Sequence, residues 1–214
     1  VPAAESIPAV GVIRGLSDDQ LLEIVQRQTF RYFWHYAHPV SGLARERSNT
    51  VRADYYWDYI NEAYGEPNLS TGTFGPEACA IGGTGFGILS MVIAAERKWL
   101  TREAVLNRLI QMTDFLSKAE SFHGVYPHFM DCTTGKTIPF DRIDNGSDIV
   151  ETSYLMMGLL TAREYFKGNT LKEQYLIKRI NQIWGTINWN WHASNSGNNL
   201  LYWHWSPQHG FDMN

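Results

Sequence analysis

The sequence predicts an all-α fold in which helical hairpins stack in a ring, with three hairpins of six, half of an α/α toroid, in 214 residues. Two alternations carry that prediction. Amphipathic helical segments take turns with segments that are apolar nearly all round, and helices of the second kind are usually buried on all sides. The links alternate too: short after an apolar helix (100–101 and 167–170), long after an amphipathic one (39–81, 122–145 and 192 to the end). Outer amphipathic helices, inner apolar helices and long loops on one face, where the inner helices begin, account for both patterns. An irregular helical bundle is the plainer alternative. Long loops are uncommon in compact domains and usually functional, so a site is expected on the loop face.

The first helix is predicted over 17–38. Ser17 is its N-cap, and Asp18 and Asp19 occupy the first turn, where carboxylates suit the helix dipole. Leu21, Leu22, Val25, Phe30, Phe33 and Trp34 keep a helical rhythm, and Pro39 stops it. The second, over 83–99, has Gly82, Gly83, Gly85 and Gly87 at its start and no charge before Glu96. Glycine costs helix propensity, so these positions imply close packing or close approach of a ligand. The third, over 102–121, takes Thr101 as N-cap and shows one stripe of Leu106, Leu109, Ile110, Thr113 and Leu116. The fourth, over 146–166, is apolar nearly all round. The fifth, over 171–191, opens on a capping box, Thr170 with Glu173, and carries Lys172, Lys178 and Arg179 on a wet face. Residues 1–16 are small and Pro-punctuated and read as a flexible lead-in, of the kind left when a signal sequence or tag is removed.

Composition narrows the function. The chain is 44% hydrophobic and 19% charged, enough for a real core. Net charge is −4 without a Lys/Arg-rich run, which disfavours nucleic acid and anionic membranes as partners. No apolar stretch reaches membrane-spanning length. Cys79 and Cys132 are the only cysteines, and two cysteines fix neither compartment nor redox state. Eight Trp and eleven Tyr are many, and those in the long loops have flat faces suited to ring-shaped ligands or to folding back on the core as lids.

The chemistry concentrates in FDRIDNGSDIVETSYLMMGLL, residues 140–160, where Asp141, Asp144, Asp148 and Glu151 precede an apolar run. From Ile143 to Ala162 there is no Lys or Arg, so this is not an ordinary solvated face. On a helix, positions 144, 148 and 151 fall within roughly 60° of one another. If the helix reaches back that far, three carboxylates share one stripe; otherwise Asn145-Gly146 turns the chain and Asp144 lies just before the helix. A cap needs only one acid, and Asp144 or Ser147 is the candidate. Crowded carboxylates perturb one another and suit acid/base work. One such chemistry is glycoside hydrolysis. Another is Mg²⁺ held against a diphosphate, with Arg45, Arg47, Arg52 and Arg142 over the phosphates. The aromatic loops favour sugar. Arg45, Glu46 and Arg47 are read as sugar contacts or surface ion pairs. Tyr126-Pro127-His128-Phe129 and Tyr202-Trp203-His204-Trp205-Ser206-Pro207 repeat an aromatic/His pattern that fits a sugar-lined rim, with Tyr126, His128, Phe129, Trp203 and Trp205 as contacts. His123, His128 and Cys132 lack the partner motif of a zinc site, so zinc is not expected there.

Several stretches resemble the glucoamylase-like domain family of Bacteroidota, whose characterised members include endo-β-1,2-glucanases. They are TFRYFW (29–34), SGLARER (41–47), GGTGFG (82–87), YPHF (126–129), DNGSDIVETS (144–153) and WHWSP (203–207), in the family's order. The resemblance implies an (α/α)6 barrel, a periplasmic or secreted setting, and inverting hydrolysis of β-1,2-glucan without a cofactor. It places Asp144, Asp148 and Glu151 in the acidic cluster of the active-site cleft. Family domains are about twice as long, with a proton-donating Glu shortly beyond the position of Asn214. The chain is therefore expected to be the N-terminal half of a domain, over 17–214, its ring closed by the other half or by a second copy. A carbohydrate-binding protein without turnover is the alternative function.

Overall fold

The computed structural model describes residues 14–47, 77–193 and 200–212. The lead-in up to residue 13, and Arg52 in the first long loop, lie outside them. Five helices form: α1 (Asp18–His35), α2 (Ile81–Glu96), α3 (Arg102–Leu116), α4 (Ile149–Tyr165) and α5 (Leu171–Thr186). The caps read from the sequence are present at α1, α3 and α5. Ser17 Oγ accepts the Gln20 N–H at 3.3 Å while Gln20 Oε1 accepts the Ser17 N–H. Thr101 Oγ1 accepts the Ala104 N–H, and Thr170 with Glu173 completes a capping box.

Helix ends depart from the prediction where the loops take over. The helix α5 stops at Thr186 because Ile187 turns extended, and Trp189–His192 forms a separate 3-10 turn. The long loops also contain short strands that the sequence reading leaves as loop. Strands β1 (Ala78–Ala80), β2 (Phe129–Asp131) and β3 (Thr137–Ile138) make an antiparallel sheet in that order, with Cys79 opposite Met130 and Phe129 opposite Ile138. Strand β4 (Ser147–Asp148) pairs antiparallel with β5 (His204–Trp205), Asp148 opposite His204. Cys79 and Cys132 are joined in a disulfide that ties β1 to the end of β2. Since β1 runs directly into α2 and β4 into α4, these small sheets set where both inner helices begin.

The inner pair α2 and α4 pack most closely, α3 lies against α5, and α1 covers α2. The glycines of α2 account for the closeness. A Cβ on Gly85 would stand 2.0 Å from the Tyr154 carbonyl oxygen, and one on Gly158 would stand 2.4 Å from the carbonyl oxygen of Gly85. The two backbones therefore touch. Around this crossing Ile88, Met91, Leu109, Met112, Leu155, Leu159 and Ile180 fill one core. The architecture is all-α, two inner and three outer helices of an (α/α)6 toroid, of which this chain forms part. The inner helices are not buried all round, as the pattern predicts. Phe86 and Ile93 of α2 and Tyr154 and Met157 of α4 remain exposed, the Phe86 and Tyr154 rings meeting at 5.2 Å. Among the described residues nothing packs on that apolar face.

The helix crossing makes a paired prediction. Gly85→Ala should destabilise by at least about 2 kcal/mol, because backbone must move to admit the methyl. Gly185→Ala in α5, where a Cβ meets nothing within 4 Å, should stabilise by about 0.5–1 kcal/mol. Denaturant unfolding of both variants measures this; equal effects would refute the close-contact account.

Candidate active site

The helix α4 begins at Ile149 because Asp148 caps it. The Asp148 Oδ1 accepts the Val150 N–H at 2.8 Å and the Glu151 N–H at 2.9 Å. Its backbone is extended (φ −126°, ψ 111°), as its place in β4 requires. The acids therefore do not share a helical stripe. Asp144 lies in the preceding loop, Asp148 is the cap and Glu151 is in the first turn. The cap is neither Asp144 nor Ser147; Ser147 Oγ instead meets His192 Nε2 at 3.0 Å, buried. Asp141 shapes the loop, its Oδ1 accepting the Asp144 N–H at 2.8 Å and the Ile143 N–H at 2.7 Å. Those two bonds hold its carboxyl below the usual range.

What gathers the acids is His128. Its Nδ1 lies 2.8 Å from Asp144 Oδ2 and 3.3 Å from Asp148 Oδ2. The ring stacks on Phe140 with centroids 4.4 Å apart and planes within 5°, and Phe129 meets it edge-on. Burial pushes the imidazole toward its neutral form. The hydrogen bonds to Asp144 and Asp148 and the charges of Asp144 and Glu151 outweigh that and raise its pKa to about 10. His128 is thus an imidazolium at neutral pH. Asp148, 0% exposed, also accepts the Trp203 indole N–H at 3.1 Å on Oδ2. The polar atoms of His128, Asp144 and Asp148 lie within 4.8 Å of one another, close enough to surround a cation. The Asp148 oxygens, however, already accept from Val150, Glu151 and Trp203, and the proton on His128 supplies the positive charge.

Glu151 reaches the other way. Its Oε2 accepts the Gly82 N–H at 2.8 Å, and a Cβ at position 82 would stand 2.7 Å from that oxygen. A side chain there would push this carboxylate aside. The GGTG run in the sequence signals close approach, and what approaches is this carboxylate. Burial raises the Glu151 pKa above the usual carboxyl range, with the Gly82 hydrogen bond and His128 opposing and the charges of Asp148 and Asp144 assisting. A carboxyl whose pKa burial raises stands beside two hydrogen-bonded aspartates and an imidazolium. Such divergence between neighbouring groups equips a site for acid/base chemistry.

The other predicted contacts divide by depth. Trp203 is 56% exposed beside Asp148, with its indole nitrogen fixed and its ring exposed to solvent. Trp205 is half-buried against Phe122, His123 and Trp191. Tyr126 and Phe129 are buried. The Tyr126 hydroxyl donates to the Leu116 carbonyl at 3.0 Å, and its backbone nitrogen and oxygen bind Thr152 and Asp148, so it anchors the loop to α4. Phe129 backs the His128 ring. Glu46 and Arg47 form a two-point ion pair, one arm at 2.7 Å, while the Arg45 carbonyl accepts from the Tyr32 hydroxyl at 2.7 Å. The sequence reading misses Gly82 as a functional donor and His192, whose pKa burial lowers from its ordinary value.

No family model matches the chain. It is 40% identical over 200 residues to an exo β-1,2-glucooligosaccharide sophorohydrolase (non-reducing end) from Parabacteroides distasonis, covering 93% of this chain and 24% of that protein. Among solved structures, it matches a putative glucoamylase from Bacteroides uniformis with a TM-score of 0.78 and 41% identity, over 94% of this chain and 43% of the other. An endo-β-1,2-glucanase from Chitinophaga pinensis, in complex with sophorotriose and glucose, matches with a TM-score of 0.78 and 40% identity, covering 94% and 43%. The chain is homologous to these glucoamylase-like and β-1,2-glucan-degrading proteins. It spans about a quarter of the curated relative and less than half of the solved chains.

The charge on His128 has a consequence for stability. A pKa raised from 6.5 to about 10 on folding contributes stability that is complete below about pH 6.5 and lost as pH rises through about 10. The stability gap between the protein and its His128→Asn variant should close over that window in thermal unfolding. A gap that stays constant would contradict an imidazolium.

Proposed function

We propose that this glucoamylase-like chain forms part of a glycoside hydrolase acting on β-linked glucan, of the inverting endo-β-1,2-glucanase type. The observation that carries the reading is the group Asp144, Asp148 and Glu151, gathered by His128 and Gly82 at the mouth of an inner helix, with the open Trp203 ring beside it. Glycoside hydrolysis needs one carboxyl to give a proton to the leaving oxygen and another to activate water. Glu151 has the raised pKa that such divided roles use, and Trp203 offers a face for a sugar ring. Homology to proteins named for β-1,2-glucan supports the linkage. The substrate is then a β-1,2-glucan oligosaccharide or polysaccharide, and the reaction needs no cofactor. The apolar face of α2 and α4 fits a ring closed by further helices, from the remainder of a longer domain or from a second copy. The Cys79–Cys132 disulfide supports a periplasmic or secreted setting, where such bonds persist.

Incubation of the complete domain, of which this chain forms part, with β-1,2-glucan should release shortened oligosaccharides, with the first-formed anomer inverted by proton NMR and the rate indifferent to EDTA. Asp148→Asn should keep the fold, since Asn also caps, and should cut turnover by at least ~10²-fold. Binding without shortening would favour a carbohydrate-binding protein, and activity indifferent to EDTA would count against the Mg²⁺-dependent diphosphate chemistry.

A further inference from the structure

We propose that His128 is a positioning residue of this site, tying Asp144 to Asp148 through one ring nitrogen and holding Oδ1 of Asp144 ready to accept from a water or a sugar hydroxyl. The proposal rests on the hydrolase reading and divides labour within it. The loop sequence around His128 reads as part of a sugar-lined rim, yet its ring is not presented as a rim residue would be. Phe140 covers one face, Phe129 meets its edge, and Nδ1 faces the two carboxylates.

The two aspartates differ in what they have left to offer. Both oxygens of Asp148 are engaged, by Val150 and Glu151 on Oδ1 and by Trp203 and His128 on Oδ2. Asp148 is therefore itself a positioning group. Asp144 uses only Oδ2, on His128. Its Oδ1 is buried and takes no hydrogen bond from the described residues, while the residue as a whole is 8% exposed. A buried carboxylate oxygen without a donor is costly and rare. A ligand hydroxyl or ordered water is the donor that this chemistry supplies. The neighbouring N–H groups are directed elsewhere: the Asp144 N–H goes to Asp141, the Asp148 N–H to Tyr126 and the Gly82 N–H to Glu151. The charged groups facing the His128 ring are Asp144, Asp148 and, from α4, Glu151; Asp141, farther along the loop, feels the charges of both His128 and His204 of β5.

Two substitutions separate this role from a direct sugar contact, because Asn places its amide near the Nδ1 position of histidine and Gln reaches toward Nε2. With β-1,2-glucan as probe, His128→Asn should keep at least about tenfold more kcat than His128→Gln, with KM within about twofold of the parent in both. The acid limb of kcat/KM should move to higher pH in both variants, because Glu151 loses a neighbouring cation that lowers its pKa. A better-performing Gln variant, or a raised KM with kcat unchanged, would overturn the proposal in favour of sugar binding. Ring-nitrogen NMR of the protein labelled at histidine needs no glucan. The His128 ring should remain protonated past about pH 8 and titrate at least about one unit lower in Asp144→Asn. A ring titrating near 6.5 in the parent would overturn the tie. If the complete domain releases no sugar, the hydrolase reading fails, while the ring titration still decides whether His128 joins the two aspartates.

Discussion

One buried carboxylate organises the loop face. Asp148 satisfies two of the N–H groups that a helix start leaves without intrahelical partners, and so fixes where α4 begins. Its second oxygen holds the Trp203 indole and faces His128. Its backbone N–H binds the Tyr126 carbonyl, and its strand pairs with the segment that carries Trp203 and Trp205. Two loop regions far apart in sequence, around 126–128 and 203–205, are thus registered against one helix end. A buried anion is tolerable only when hydrogen-bonded and balanced by charge, and the N–H donors and the His128 imidazolium meet both conditions.

The second constraint is steric. The helices α2 and α4 meet backbone to backbone at Gly85 and Gly158, which brings the start of α2 beside the first turn of α4. Only then can the Gly82 N–H reach Glu151. Packing and chemistry are continuous here: the same glycine-rich run that lets the helices touch also leaves room for a carboxylate, whose burial raises its pKa. The site is therefore placed by the inner-helix crossing, while its polar groups are oriented by the loops.

Much of this was legible in the sequence, for identifiable reasons. Helical periodicity and the caps at Ser17, Thr101 and Thr170 located all five helices, because these are local signals. The acids at 144, 148 and 151 marked the site, because charge without Lys or Arg before an apolar run is unusual. Their geometry was not legible. Extended backbone at Asp148 and its pairing with His204 depend on a partner 56 positions away (204 minus 148), and no local pattern shows that. Strands of two or three residues are too short for an alternation to appear. The rim reading put Tyr126 and Phe129 with the exposed aromatics; composition alone cannot separate an aromatic that stacks on a ligand from one that backs a histidine. Two cysteines likewise left their pairing open until β1 and β2 were seen side by side.

The proposed function places glucan binding and cleavage at the acidic group at the start of α4. Its most direct test is a crystal structure of the protein with a bound β-1,2-linked glucooligosaccharide. A sugar ring stacked on Trp203, with a hydroxyl or ordered water within hydrogen-bond distance of Asp144 Oδ1 and a glycosidic oxygen in the cleft beside Glu151, is the predicted result. An oligosaccharide seated elsewhere, with the Asp144, His128 and Asp148 group sealed from it, would contradict the account.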